Sequence, residues 1–127
     1  MNKHINTRII FEDFSPTFVY ELIVDGVNVG QIEQQIPHLP QSARGARYEQ
    51  ITHLYVEEQH RGKGYGRELV SYFEKKASAQ GANWIEVNSS ESAKGFYGHL
   101  GFVKTPQNIV GRLLRRIGIN SRYYKSI

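Results

Sequence analysis

Val56-Glu-Glu-Gln-His-Arg61-Gly-Lys-Gly64-Tyr-Gly66 lies between an apolar, strand-like run from Ile51 to Val56 and an amphipathic, helix-like run from Tyr65 to Gln80. Strand, then three glycines in five residues, then helix is an arrangement that presents bare backbone N–H groups to a phosphate. Without Cβ atoms an anion can approach the chain closely, and the helix start adds favourable partial charge. Arg61 and Lys63 place cations beside those amides. Read more plainly, the same residues are a glycine-rich turn with no ligand.

The spacing narrows the choice of phosphate. A dinucleotide fingerprint would need glycine at position 67, which is Arg67, and no Walker-type G-x-x-x-x-G-K run occurs. What fits is R-x-x-G-x-G, read as Arg61, Gly64 and Gly66. At this point the chain resembles the GNAT superfamily of acyl-CoA-dependent N-acyltransferases, in which the segment holds the pyrophosphate of coenzyme A. The family's L-x-V-x-P lead-in appears as Leu54-Tyr-Val56-Glu-Glu58, with Glu58 in place of proline. A second segment, Ala93-Lys-Gly-Phe96-Tyr97-Gly-His-Leu100-Gly101-Phe102, resembles the family's A-x-x-F-Y-x-x-x-G-F. It reads as a short helix from about Ser92 to Leu100, closed by Gly101 as a C′ glycine, after which Phe102 starts another strand. Together the two segments cover residues 48–105 and say little about subfamily.

Length and composition bound the rest. A chain of 127 residues, 39% hydrophobic, fits one domain over 1–127 with a single core. It contains no cysteine, so disulfides and thiolate catalysis are excluded. The five histidines show no paired ligand spacing, and no metal is expected. No apolar run is long enough to span a membrane and the N-terminus lacks a signal-peptide core, so a cytoplasmic protein is the default expectation. The net charge of +4 is unevenly spread: Lys104 to Ile127 holds six basic and no acidic residues, against ten basic and twelve acidic elsewhere.

Along the chain, Thr7–Phe14 reads as a strand broken by Ser15-Pro16. Thr17–Val24 and Val27–Ile36 read as a hairpin around Asp25-Gly26. Pro37–Ala46 reads as a loop and Tyr48–Val56 as one strand. In the helix that follows, Tyr65, Leu69, Phe73 and Ala77 share one face, while Arg67, Glu68, Glu74, Lys75 and Lys76 mostly face water. Ala82–Asn88 reads as a buried strand. Beyond Phe102, Ile109, Val110, Leu113, Leu114 and Ile117 form one arc of a basic amphipathic helix, and Ser121–Ile127 a last strand, within a tail spanning 107–127. The resemblance implies an α/β chain of the α+β type. Its sheet would be mixed and largely antiparallel, with splayed central strands and flanking helices. The helices that family members insert between the first two strands are missing here, which leaves the acceptor open.

Acetyl transfer from a thioester to an amine requires the carbonyl to be positioned, its developing charge stabilised, and the amine deprotonated. The resemblance places Tyr97 where its phenol reaches the sulfur of coenzyme A, as general acid; otherwise it is a packing aromatic. Glu86 is the leading base. Its place in Trp84-Ile-Glu-Val87, eleven residues before Tyr97, looks like that of the ribosomal-protein N-terminal-alanine acetyltransferases. On a strand Glu86 points opposite to Ile85 and Val87, into a groove or simply into solvent. His53 and Glu49 are lesser candidates, and a base acting through water, or none, stays open. For the cofactor, acetyl-CoA, the resemblance implies that the amides of His60, Arg61, Gly62, Lys63, Gly64, Tyr65 and Gly66, with the Arg61 side chain and Arg67, hold the pyrophosphate. Backbone groups of Leu54 and Val56 would pair with the pantetheine arm, and Tyr55 between them counts among the cofactor-binding residues. Ser90, where the family often has asparagine, would cap the next helix beside Ala93, Phe96 and Tyr97.

The expected function is therefore an N-acetyltransferase acting on a primary amine, either a small molecule or a protein N-terminus or lysine. A different class of reading is a nucleic-acid-binding module, with Arg112, Arg115, Arg116, Arg122 and Lys125 interleaved with Tyr123 and Tyr124; a solvated helix face is the plainer account. A third is a scaffold without catalysis, or a homodimer formed through the last helix.

Overall fold

The computed structural model describes residues 1–12, 15–35, 48–88, 94–103 and 122–127. The expected loop at 37–46, the basic helix at 109–117, Ser90 and Ala93 lie outside them. Strands β1 (Lys3–Glu12), β2 (Ser15–Val24) and β3 (Val27–Gln35) form an antiparallel meander. Its second turn is Asp25-Gly26, both with positive φ, the geometry that matches the twist of paired strands. β1 pairs with β2 from Lys3↔Val24 to Glu12↔Ser15, so only two residues separate these strands and no helix is inserted between them. Pro16 does not break the strand as expected. Its missing N–H would point toward β3, whose described residues end at Gln35, opposite Thr17, so no described ladder bond is lost.

The expected single strand over 48–56 is two strands, and the division makes the site. β4 (Tyr48–Ile51) pairs in parallel with β6 (Trp84–Asn88), which pairs antiparallel with β7 (Arg122–Ser126). β5 (His53–Val56) instead pairs antiparallel with β3. Thr52 is the crossing point: its N–H and its hydroxyl both donate to the Glu33 carbonyl, at 2.9 and 3.1 Å. The chain thus passes from a three-stranded sheet, order β4-β6-β7, to a four-stranded one, order β1-β2-β3-β5. Beyond Thr52, β5 and β6 belong to different sheets and part.

Helix α1 (Tyr65–Ala79) packs on both sheets. Tyr65, Leu69, Phe73 and Ala77 are buried, as the four-residue spacing predicts, and Val70 is buried with them, against Tyr20, Leu22 and Ile32 of one sheet and Ile51, Ile85 and Val87 of the other. Burying a side chain such as Phe73 or Leu69 contributes about 2 kcal/mol each. Lys76 departs from the expected solvent face. Its ammonium donates to Gln34 of β3 at 2.9 Å and pairs with Glu49 of β4 at 3.1 Å, so one side chain ties the helix to both sheets. Helix α2 (Lys94–His99) follows β6. Val103 makes a bridge to Tyr124, and the residues over which a strand opened by Phe102 would run, 104–121, lie outside the described ones. Among the described residues no helix is long and apolar enough to cross a membrane.

Candidate acetyl-donor site

A cavity of about 750 Å³ opens between β5, the start of α1 and α2. β5 supplies Leu54, Tyr55 and Val56, the loop and helix start supply His60 to Arg67 except Lys63, and α2 supplies Phe96 and Tyr97. The two sequence segments, thirty residues apart in the chain, therefore face one space.

The lip of the cavity is an open helix N-terminus. Gly64 is the N-cap, with φ of 84°, a conformation that costs most other residues about 1–2 kcal/mol. No side chain caps α1, so its first N–H groups are available to an anion. Gly66 serves a different purpose. A Cβ there would meet the Phe96 ring at 3.2 Å, so the absence of a side chain lets α2 close on α1 and joins the two motifs physically. On the other wall, the N–H of Glu57 donates to the Val29 carbonyl at 2.9 Å. Antiparallel pairing alternates, so His53 and Tyr55 direct their backbone groups to β3, while those of Leu54 and Val56 point toward the gap. The Val56 carbonyl accepts a bond from Arg61 Nε at 2.9 Å, and the Arg61 guanidinium lies over the Tyr55 ring. Lys63 is exposed and does not line the cavity.

Tyr97 is fixed by a helix end. The N–H of Phe102 donates to the Tyr97 carbonyl and that of Gly101 to Gly98, with Gly101 at φ of 92°, the paired bonds of a Schellman motif. The ring is 4% exposed and packs edge-on against Phe96 and Phe102. Burial pushes its phenol up to about 12 from an ordinary 10.0, because phenolate would be poorly solvated there.

Glu86 lies on the other side of the three-stranded sheet. Ile85 and Val87 point to α1 and the core, whereas Glu86 shares its face with Gln50 and Tyr124, its register neighbours. It is buried rather than solvated, and Gln50 Nε2 donates to its Oε1 at 3.2 Å. It does not line the cavity. Beside it Tyr48 and Trp84 stack with ring planes 3° apart, and the Trp84 indole N–H is buried with no hydrogen-bond partner among the described residues. Gln50 and Trp84 were not among the expected site residues, since only the register of β4 on β6 places them beside Glu86. The other base candidates lie elsewhere: Glu49 is engaged by Lys76 under α1, and His53 is exposed, stacked on Tyr55.

The tail offers little as a nucleic-acid surface among the described residues. Tyr124 is buried, Tyr123 is half-buried, and Lys125 pairs with Glu74 of α1 at 2.8 Å. Arg112, Arg115 and Arg116 lie outside the described residues.

The family model for the GNAT acetyltransferase domain matches residues 19–117. None of the curated proteins matches the chain significantly. Among solved structures, Tetrahymena GCN5 superposes with a TM-score of 0.69 at 17% identity, over 87% of this chain and 68% of that one. The PaiA N-acetyltransferase of Thermoplasma acidophilum, in complex with coenzyme A, gives 0.62 at 18% identity, over 87% and 61%. The ribosomal-protein-alanine N-acetyltransferase of Brucella melitensis gives 0.57 at 26% identity, over 66% and 62%. This chain thus spans roughly two thirds of the length of each. With the family model spanning most of the sequence and the open glycine-rich helix start set where two sheets part, the chain belongs to the GNAT acetyltransferase family.

Proposed function

We propose that the protein transfers the acetyl group of acetyl-CoA to a primary amine by direct attack in a ternary complex, with Glu86 as base and with Tyr97, the residue expected as acid, donating a hydrogen bond to the leaving thiolate. The observation that carries this reading is the cavity whose lip is an uncapped helix N-terminus and whose wall holds Tyr97. Acetyl-CoA supplies the activated acetyl group as a thioester. The amides from Gly62 to Arg67 bind its pyrophosphate, and the gap-facing backbone of Leu54 and Val56 aligns its pantetheine arm as an added strand.

Tyr97 stays protonated throughout the neutral range. A free thiol has a pKa near 8.5, so a phenol raised to about 12 does not hand its proton wholly to the thiolate. It stabilises the leaving sulfur as a hydrogen-bond donor instead. On the face of the sheet away from α1, Glu86 receives the proton of the attacking amine, and Gln50 holds the carboxylate in place. The Trp84 N–H on the same face is a donor for the acceptor's own oxygen. Peptide N-termini, which carry an amine close to a carbonyl, are the first acceptors to test, in keeping with the alanine substrate named for the Brucella neighbour.

The test is binding followed by turnover. Acetyl-CoA at about 100 times its dissociation constant should stabilise the native state by about 2.7 kcal/mol, seen as a melting point higher by several degrees. Mass spectrometry should then show a gain of one acetyl group on a peptide acceptor. No thermal shift and no uptake by calorimetry would dismiss the reading.

A further inference from the structure

We propose that two copies of this chain associate through the outer edges of β1, joining their four-stranded sheets into one. β1 is an edge strand of ten residues, and no described strand pairs with its outer side. The N–H of Asp25 donates to the Asn2 carbonyl at 2.8 Å, which sets the alternation. Even-numbered residues bond to β2, and the backbone groups of Lys3, Ile5, Thr7, Ile9 and Phe11 point off the sheet. The usual protections of such an edge are weak here. β1 contains no proline and its pairing with β2 shows no bulge. Its single lysine, Lys3, sits at one end with its ammonium held by Glu68 at 2.7 Å. The apolar side chains Ile9 and Phe11 are 46% and 78% exposed.

The partner is a second copy because the edge complements itself in one register. In an antiparallel pair centred on Thr7, Thr7 faces its own copy, Ile5 faces Ile9 of the second copy, and Lys3 faces Phe11. All these side chains lie on the face that carries Leu22 and Tyr20. The apolar stripe of each sheet then continues across the axis, and Phe11 lies along the Lys3 stem. On the opposite face Arg8 meets Asn6 and His4 meets Ile10, so no like charges are opposed. The neighbouring registers that keep the same alternation are worse. Centring on Arg8 sets that cation against its own copy, which is destabilising for directly opposed strand residues. Centring on Asn6 sets Arg8 against His4 and moves Phe11 opposite Met1, beyond the end of the strand.

Light scattering coupled to size exclusion, across the micromolar range, should return twice the protomer mass. Thr7→Pro removes an N–H that points only outward, so it should yield a monomer with an unchanged circular dichroism spectrum. The chain has no cysteine, which allows a second, independent test. Thr7→Cys puts two thiols on the axis, with Cα atoms about 5.5 Å apart, within the span of a disulfide. Mild oxidation should link it rapidly, whereas Ile9→Cys, whose copies are offset by about 13 Å along the strand, should stay unlinked. A monomer at every concentration overturns the proposal. So does a dimer that survives Thr7→Pro with the fold intact, or equal crosslinking of the two cysteine variants should the proline variant fail to fold.

Discussion

At the scale of a single residue, the proposed chemistry rests most on Tyr97. Replacing it by Phe keeps the ring that packs on Phe96 and Phe102 and removes only the hydroxyl. Turnover should fall by about 10²-fold, the scale for loss of one hydrogen-bond donor to developing charge, with acetyl-CoA affinity unchanged by calorimetry. Equal turnover would return Tyr97 to a packing role. The same substitution has a second consequence. Because burial raises the folded-state pKa above the unfolded one, native protein binds more protons between pH 10.0 and about 12, and stability must decline as pH rises through that window. Urea melts at pH 9 and 11, on a scale set by the shift itself, should show a smaller alkaline loss for Tyr97→Phe. Glu86→Gln keeps shape and removes basicity, and should lower turnover while sparing donor binding. Tyr97 could be singled out from sequence because its neighbours Phe96 and Gly101 carry a recognisable pattern. Gln50 could not, because nothing within its own strand marks it.

Among elements, the start of α1 matters most. Its N-cap is a glycine in a left-handed conformation, with no side chain completing the cap. Gly64→Ala should lower unfolding free energy by about 1 kcal/mol and weaken acetyl-CoA binding, since strain at the cap displaces the amides that meet the pyrophosphate. Denaturant titration and calorimetry would measure the two effects separately. Unchanged acetyl-CoA affinity would mean that the amides do not hold the anion. The helix itself was plain in the sequence, since its apolar residues repeat at helical spacing. The division of 48–56 into β4 and β5 was not, because Thr52 is a good strand residue. Its role is settled by the Glu33 carbonyl that binds it from another strand.

At the scale of the whole molecule, Lys76 joins α1 to β3 and β4 across the divide between the sheets. Lys76→Ala leaves Gln34 and a half-buried Glu49 without that partner. It should cost about 2 kcal/mol, seen as a lower denaturant midpoint; a change within a few tenths would mean that solvent screens the pair. By spacing alone Lys76 belongs to the polar side of the helix, and only the convergence of two sheets beneath α1 draws it inward. The tail shows the same limit: Tyr123, Tyr124 and Lys125 looked like a stacking surface, yet Tyr124 is buried and Lys125 is paired with Glu74. By itself the amino-acid order determined the hairpin at Asp25-Gly26, the amphipathic helix, its glycine-rich start and the Tyr97 helix end, since each depends on residues a few positions apart. Only the tertiary structure decided that β5 and β6 separate, that Glu86 is buried beside Gln50, and that no described strand covers the edge of β1. These depend on strand register and sheet order, which bring distant residues together and leave no local pattern.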